Sequence, residues 1–188
     1  MKTRHFIAIA AASLLVLSCA GNKKNEMFDE NVKALQETEV QKEEFPEVYD
    51  DAADPVVQID EAIAKAKAEG KFVIAQVGGN WCPWCLRFAD YISKIPEICE
   101  MLLDDFVYVH INVRRRNPET GKNETCTEAM AKLGNPMRFG YPVMVVLDGN
   151  GKVLHTQDSG YLESGESYDK DKVLRFFNNW KPSAVNSK

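Results

Sequence analysis

The sequence has few histidines, no excess of positive charge and no apolar run of membrane-spanning length, and each shortage excludes a class of function. His5, His110 and His155 are the only histidines among 188 residues. None is paired for zinc, and none follows a cysteine pair as covalent haem attachment requires. The net charge is -5, and residues 55–188 carry 17 basic and 17 acidic side chains. We therefore expect no metal site and no nucleic-acid partner.

The longest apolar run, Phe6 to Leu17, is too short to cross a membrane as a helix. Basic residues precede it and small residues follow it, which is the order of a secretory signal. The stretch from Val16 to Cys19 resembles the lipobox of bacterial lipoproteins. That resemblance implies removal of residues 1–18 and a lipid anchor on Cys19, in an envelope protein that faces the periplasm or the cell surface. Ordinary cleavage after Ala20 is the alternative.

Acidic residues are concentrated in the segment that follows. Residues 20–54 hold 4 Lys or Arg against 11 Asp or Glu, and no apolar stripe persists over several turns. We expect residues 19–54 to be a largely disordered tether, with a partner-binding segment that folds on contact as the alternative. Residues 55–182 are the predicted domain, and residues 183–188 a short C-terminal tail.

Within the predicted domain, helical and strand patterns alternate. The order is α-β-α-β-α-β-β-α. The predicted elements are a helix from Pro55 to Gly70, a strand at 72–77, a helix interrupted near Pro96, a parallel strand at 106–113, a short helix begun by a capping box at Thr125, a hairpin with strands at 142–147 and 152–156, and a helix at 169–180. Residues 114–124 are predicted to be a polar loop.

The stretch Trp81-Cys82-Pro83-Trp84-Cys85 lies between the first strand and the next helix. A thiol at a helix N-terminus is stabilised as thiolate, so we expect an exposed, nucleophilic Cys82 and a shielded, resolving Cys85. Pro83 stiffens the ring and suits the first helical position. Trp81 and Trp84 offer aromatic surface to a substrate, or they pack in the core, the latter being favoured more for Trp81 than for Trp84.

The whole pattern resembles the thioredoxin superfamily, over roughly residues 56–182. The resemblance depends on the Trp81 to Cys85 motif, on Tyr141-Pro142 ahead of a strand, and on Asp148-Gly149-Asn150-Gly151 as the hairpin turn. It implies an α/β thioredoxin fold, with a central mixed sheet, helices on both faces and an antiparallel hairpin after a cis-proline. It also implies that Tyr141 and Pro142 lie against the cysteines and bind substrate.

Thiol–disulfide oxidoreductase activity, in the reductive direction, is the function that follows from this resemblance. The Cys82–Cys85 disulfide would be the only redox group, with no other cofactor. Partners would be envelope proteins with thiols or disulfides and a membrane redox protein. An oxidase or isomerase using the same site is one alternative, and a non-catalytic binding module is another.

One position departs from the thioredoxin pattern. Thioredoxins have a buried acid six residues before the first cysteine, where it assists proton transfer from the resolving thiol. Gln76 occupies that position here, and an amide cannot act as a base at ordinary pH. We therefore expect proton transfer at Cys85 to depend on water or on another carboxylate.

The remaining domain cysteines are Cys99 and Cys126. Cys126 follows the second strand at the active-site end of the sheet, and Cys99 lies about 20 Å away along the preceding helix. Because a disulfide needs Cα atoms within about 7 Å, we expect no bridge between them. Cys99 is predicted to be a buried apolar filler, and Cys126 is either structural or a reactive third thiol.

Overall fold

The computed structural model describes residues 44–117 and 119–187. The expected signal peptide, the expected lipid anchor Cys19 and residues 19–43 of the expected tether lie outside this range. Within it, no helix is both long enough and apolar enough to cross a membrane.

The elements follow the predicted order, with additions. The helices are α1 (Pro55–Glu69), α2 (Pro83–Ser93), α3 (Pro96–Asp105), α4 (Thr127–Lys132), α5 (Lys170–Trp180) and the short α6 (Pro182–Val185). The strands are β1 (Phe72–Gly78), β2 (Phe106–Asn112), β3 (Arg114–Arg116), β4 (Asn123–Thr125), β5 (Val143–Leu147), β6 (Val153–Asp158), β7 (Glu163–Ser164) and β8 (Ser167–Tyr168).

The main sheet has four strands in the order β2-β1-β5-β6. β2 runs parallel to β1, whereas β5 is antiparallel to both β1 and β6. The expected mixed sheet, with an antiparallel hairpin as its last two strands, is confirmed. β1 therefore has a neighbour on each side, and its C-terminal end leads directly to the cysteine motif.

Alternate side chains of β1 pack into two separate cores, because successive residues of a strand point to opposite faces. Val73, Ala75 and Val77 pack with α1 and α4 on one face. Phe72 and Ile74 pack on the other face, which α2, α3 and α5 cover. The expected helices on both faces are thus confirmed. Gln76 shares the second face, so it lies beneath α2 and its cysteines.

Local sequence explains where these helices begin and end. The Asp54 carboxylate accepts hydrogen bonds from the first backbone N–H groups of α1, and Gly70 ends it in the left-handed region with φ of 70°. Pro96 opens α3 at a first-turn position, as predicted. The Asp169 carboxylate caps α5 through Lys172 N–H.

Two predictions for residues 114–127 are wrong. The predicted polar loop contains a small antiparallel ribbon, in which β3 pairs with β4. The predicted capping box at Thr125 does not form, because α4 begins one residue later and Cys126 occupies the cap position without a side-chain hydrogen bond. Pairing with β3 keeps Thr125 in an extended strand, so Thr125 does not act as the helix cap that the local sequence predicted.

The tether prediction requires a correction at its C-terminal end. Residues 44–54, which we call the N-terminal strap, belong to the compact unit that extends to the C-terminus. Tyr49 is buried, and the Asp51 side chain and backbone carbonyl accept hydrogen bonds from Asn112 and from the Arg116 N–H. The ordered domain therefore begins about ten residues before Pro55.

Candidate active site

Cys82 and Cys85 are joined by a disulfide at the N-terminus of α2, with Cα atoms 5.2 Å apart. Cys82 is the cap residue of the helix, and its Sγ accepts a hydrogen bond from the Cys85 N–H at 3.2 Å. Pro83 follows at the first helical position and has no N–H of its own. An N–H group and the helix dipole thus both favour negative charge on the Cys82 sulfur.

Burial around the pair differs from the prediction in two respects. Cys85 is fully buried, as expected, but Cys82 is only 6% exposed in this disulfide form. Trp81 is 46% exposed, whereas Trp84 is half-buried and packs on the α2 face of the core. The prediction had assigned the packing role more to Trp81, and the two tryptophans exchange roles because the helix turns Trp84 inward.

Tyr141 packs beside the cysteines, and its peptide bond to Pro142 is cis, as the resemblance implied. The Tyr141 ring meets Trp81 edge to face at 5.3 Å and packs against the cluster that contains both cysteines. An aromatic surface made of Trp81 and Tyr141 therefore borders the disulfide.

Two arginines pack against the tryptophans of the motif. The Arg114 guanidinium lies 5.1 Å from the Trp81 ring, and that of Arg87 lies 4.6 Å from the Trp84 ring. Both distances suit a cation–π interaction. The surroundings of the motif therefore combine aromatic rings with positive charge.

Gln76 forms a buried hydrogen-bond network below Cys85. Its Nε2 donates to the Cys85 carbonyl oxygen at 2.9 Å and to the Tyr49 Oη at 2.6 Å. Its Oε1 accepts from the Tyr108 hydroxyl at 2.6 Å. The Gln76 side chain is fully buried, and both its nitrogen and its oxygen form hydrogen bonds. The amide that occupies the expected acid position therefore binds the backbone of α2 at Cys85.

The strap delivers Tyr49 to this network. The Asn80 side chain accepts from the backbone N–H groups of Val48 and Tyr49 and donates to the Tyr49 carbonyl at 2.8 Å. Asn80 belongs to the loop that leads into the cysteine motif, so the strap and this loop are tied together. Tyr49 is 4% exposed and packs against both cysteines.

His110 completes the surroundings of the network. Its ring centroid is 5.1 Å from that of Tyr49 and 5.3 Å from that of Tyr108. Its Nε2 is buried without a hydrogen-bond partner among the described residues. Burial lowers the pKa of His110 to about 4, so the ring is neutral at physiological pH.

The segment between β6 and α5, residues 159–169, supports α2 from the other side. Tyr168 packs edge to face on Trp84 and Phe88, and its hydroxyl donates to the Trp84 carbonyl oxygen at 3.1 Å. Sequence reasoning found neither Tyr49 nor Tyr168. An aromatic residue within an acidic segment was the one available signal for Tyr49.

The two remaining described cysteines are free. Cys99 is half-buried rather than fully buried, and its Sγ approaches the Ile92 and Ser93 carbonyl oxygens. It lines a groove of about 490 Å³ together with His110 and the strap. Cys126 is buried in the α1 face of the core, which favours its structural reading.

A family model described as a thioredoxin-like domain matches residues 59–174, which is more than half of the chain. No curated protein sequence matches significantly.

Three of the solved structures that are similar to this chain are described below. A disulphide isomerase from Xylella fastidiosa Temecula1 is similar at a TM-score of 0.57 and 26% identity, covering 71% of this chain and 96% of that one. The oxidised C-terminal domain of DsbD from Neisseria meningitidis has a TM-score of 0.47 and 20% identity, covering 69% and 98%. A thioredoxin from Thermus thermophilus has a TM-score of 0.45 and 20% identity, covering 64% and 81%.

Proposed function

The chain belongs to the thioredoxin-like domain family, and on that premise we propose that it catalyses thiol–disulfide exchange, reducing disulfides of other proteins through Cys82 and Cys85. One observation carries the proposal. The two cysteines form a disulfide at the N-terminus of α2, and the Cys82 sulfur accepts a backbone N–H there. That position favours thiolate, which is the nucleophile in disulfide exchange.

The reaction proceeds in two exchanges. The Cys82 thiolate attacks a substrate disulfide, so that a bond forms between its Sγ and one substrate sulfur while the other leaves with the electron pair. Cys85 then loses its proton to the substrate thiolate released in the first exchange and attacks the Cys82 Sγ, which closes the internal disulfide and expels the second substrate thiolate. Two electrons pass to the substrate. A membrane dithiol donor would reduce the pair again, and no cofactor beyond the cysteines is required.

The reductive direction is supported by the surroundings of the pair. Cys82 and Cys85 pack against Tyr49, Trp84, Leu86 and Tyr141. Full burial disfavours a thiolate on Cys85. This penalty opposes the stabilisation of the Cys82 thiolate at the helix N-terminus, and it lowers the reduction potential of the pair.

The equilibrium of the pair with glutathione tests the direction. We expect a potential near the thioredoxin end of the range, about -270 mV, whereas a value near about -120 mV would make the protein an oxidant. Peptide mass spectrometry after alkylation follows Cys82 and Cys85 separately from Cys99 and Cys126. Absence of any exchange with glutathione would contradict the proposed activity itself, and a Cys82→Ser variant provides the blank.

Substrates would be extended segments of envelope proteins, docking on Trp81, Tyr141 and Pro142 beside the disulfide. A Cys85→Ala variant cannot resolve the mixed disulfide, so it should retain substrates covalently on Cys82. Trp81→Ala in that background should lower the amount retained. Equal retention with and without the Trp81 ring would contradict docking on this surface.

Isomerase activity is the second candidate. The Xylella fastidiosa protein, at 26% identity, is described as a disulphide isomerase. Recovery of activity in a ribonuclease with scrambled disulfides measures isomerisation, and reduction of insulin measures the proposed reductive activity. A non-catalytic binding role would be favoured if Cys82→Ser retained full function in cells.

The proposed site of action is the cell envelope, through a lipid on Cys19. Support comes from the sequence alone, in the apolar run that ends before this cysteine. In a bacterial host, labelled palmitate should enter the wild type and not the Cys19→Ala variant. An unlabelled wild type with Gly21 at its N-terminus would contradict lipidation and support ordinary cleavage after Ala20.

A further inference from the structure

The hydrogen bonds around Gln76 determine which way each group donates. A carbonyl oxygen can only accept, so the Gln76 atom 2.9 Å from the Cys85 carbonyl must be the amide nitrogen. The same nitrogen is 2.6 Å from the Tyr49 hydroxyl oxygen, which therefore accepts. The amide oxygen then faces Tyr108, which donates its hydroxyl proton.

In this assignment the Tyr49 hydroxyl proton has no hydrogen-bond acceptor among the described residues. Tyr49 accepts from Gln76, and no hydrogen bond from its own proton is found to any acceptor in the described part of the chain. Burial raises the pKa of Tyr49 above its usual value. The hydroxyl therefore keeps its proton at physiological pH and has it available to donate.

The Cys85 sulfur is a near neighbour of this hydroxyl. A Cβ placed on Gly78 would come within 3.0 Å of both the Cys85 Sγ and the Tyr49 Oη. The two atoms thus approach the same small space above Gly78, which glycine alone leaves open. Tyr49 also packs directly against both cysteines.

The titratable groups facing this space offer no base. Tyr108 reaches the network from β2 and has its pKa raised by burial, and His110 from the same strand is neutral because burial lowers its pKa. Burial raises the pKa of Tyr49, the hydrogen bond with Gln76 lowers it, and Tyr168 raises it. No carboxylate contributes to this shift. Neither the thioredoxin acid nor a substitute carboxylate perturbs this hydroxyl.

We propose that the Tyr49 hydroxyl donates a hydrogen bond to the Cys85 sulfur whenever the Cys82–Cys85 bond is open, and so stabilises the Cys85 thiolate in a site that lacks the thioredoxin acid. The inference rests on the proposed exchange function. When a reducing thiolate attacks the Cys82 Sγ, a bond forms between those two sulfurs and the electron pair of the broken bond goes to the Cys85 Sγ. The Tyr49 O–H then stabilises that charge without transferring its proton.

The test measures the pKa of Cys85 in a Cys82→Ser background, where Cys85 titrates without its partner. Pulse alkylation at a series of pH values, read for the Cys85 peptide by mass spectrometry, gives the midpoint. A hydrogen bond to a charged group is lost in Tyr49→Phe, so we expect the midpoint to rise by about 1 pH unit. Tyr168→Phe is the matched control, since it removes a buried hydroxyl that bonds to α2 at Trp84 instead, and it should leave the midpoint unchanged.

A second substitution keeps the test valid if Tyr49→Phe does not fold. Fluorotyrosine at position 49 retains the ring and makes the hydroxyl a stronger donor, so the Cys85 midpoint should fall. An unchanged midpoint in a folded position-49 variant, or an equal rise in Tyr168→Phe, would overturn the hydrogen bond. Either result leaves glutathione exchange by the wild type intact, whereas a wild type without exchange would overturn the proposed function.

Discussion

The two faces of the central sheet use the same strands but differ in chemistry. On the α1 face, the buried strand positions are aliphatic, with Val73, Ala75, Val77 and Ile111 as examples. On the α2 face, the C-terminal parts of β1 and β2 carry polar or aromatic side chains instead, namely Gln76, Tyr108, His110 and Asn112. One side of each strand therefore contributes mainly stability, and the other side builds the surroundings of the cysteines.

The difference shows where buried polar groups are tolerated. Gln76 and Asn112 are buried, and each has hydrogen-bond partners at 2.9 Å or less. An unpaired buried polar group costs about 1–3 kcal/mol, and this cost explains why the strap supplies Tyr49 and Asp51 as partners. Substitutions on the two faces should therefore separate stability from exchange.

The largest effect on stability is expected on the aliphatic face. Ile111→Ala removes a fully buried side chain and should lower the free energy of unfolding by about 2–5 kcal/mol, measured with urea. Disulfide exchange per folded molecule should be unchanged, because Ile111 lies on the face away from α2. Val57→Ala, at an exposed position of α1, should cost less than about 0.5 kcal/mol. A loss of exchange in folded Ile111→Ala would contradict the separation.

A smaller, pH-dependent effect is expected on the polar face. Burial lowers the pKa of His110 to about 4, against about 6.5 in the unfolded chain. The unfolded state therefore binds more protons between these values, so this contribution to stability is complete above pH 6.5 and is lost as the pH falls towards 4. The full loss is about 3 kcal/mol.

Unfolding free energies at pH 7 and pH 4.5 measure this dependence. His110→Gln should flatten it, whatever its effect on stability at pH 7. His155→Gln, on β6, is the matched variant and should keep the dependence of the wild type. The same slope in all three proteins would mean that His110 is not its source.

Gln76→Glu should give the smallest change in stability and the clearest change in chemistry. Burial should raise the folded pKa of the new carboxyl above the unfolded value of about 4.3, so stability should fall as the pH rises from that value to the folded pKa. Donation from two tyrosine hydroxyls to the carboxylate should oppose this rise. The Cys85 carbonyl oxygen loses the N–H of Gln76, which should cost about 1–3 kcal/mol.

Exchange should change as well, since the carboxylate of Gln76→Glu could accept the Cys85 proton as a thioredoxin acid does. The rate of insulin reduction against pH measures this, with Gln157→Glu on β6 as the control. Unchanged rates and an unchanged pH profile would refute the view that Gln76 tunes the pair.

Local patterns in the sequence predicted most of the fold. Pro55, Gly70 and Pro96 mark helix ends through backbone preferences that depend on one residue, and alternation of apolar side chains marks the strands. The cysteine motif and Tyr141-Pro142 were recognisable for the same reason, since each is a short contiguous signature.

Contacts between distant residues could not be predicted in this way. Tyr49 meets Gln76 across 27 positions of sequence, and Tyr168 meets Trp84 across 84. Neither contact leaves a periodic signal, and the acidic composition around Tyr49 favoured an extended tether. The reversal of Trp81 and Trp84 has the same origin, because their exposure depends on Tyr168 and Tyr141.

The tie between Asn80 and the strap affects how this protein can be shortened. The family match begins at residue 59, and the sequence pattern begins at Pro55, so either boundary would delete the strap. A protein cut there would leave the Asn80 and Asn112 side chains without the backbone and carboxylate groups they bind. It would also open the floor beneath Cys85 to solvent. Such a fragment could retain every helix and strand of the family and still report the properties of a different redox centre.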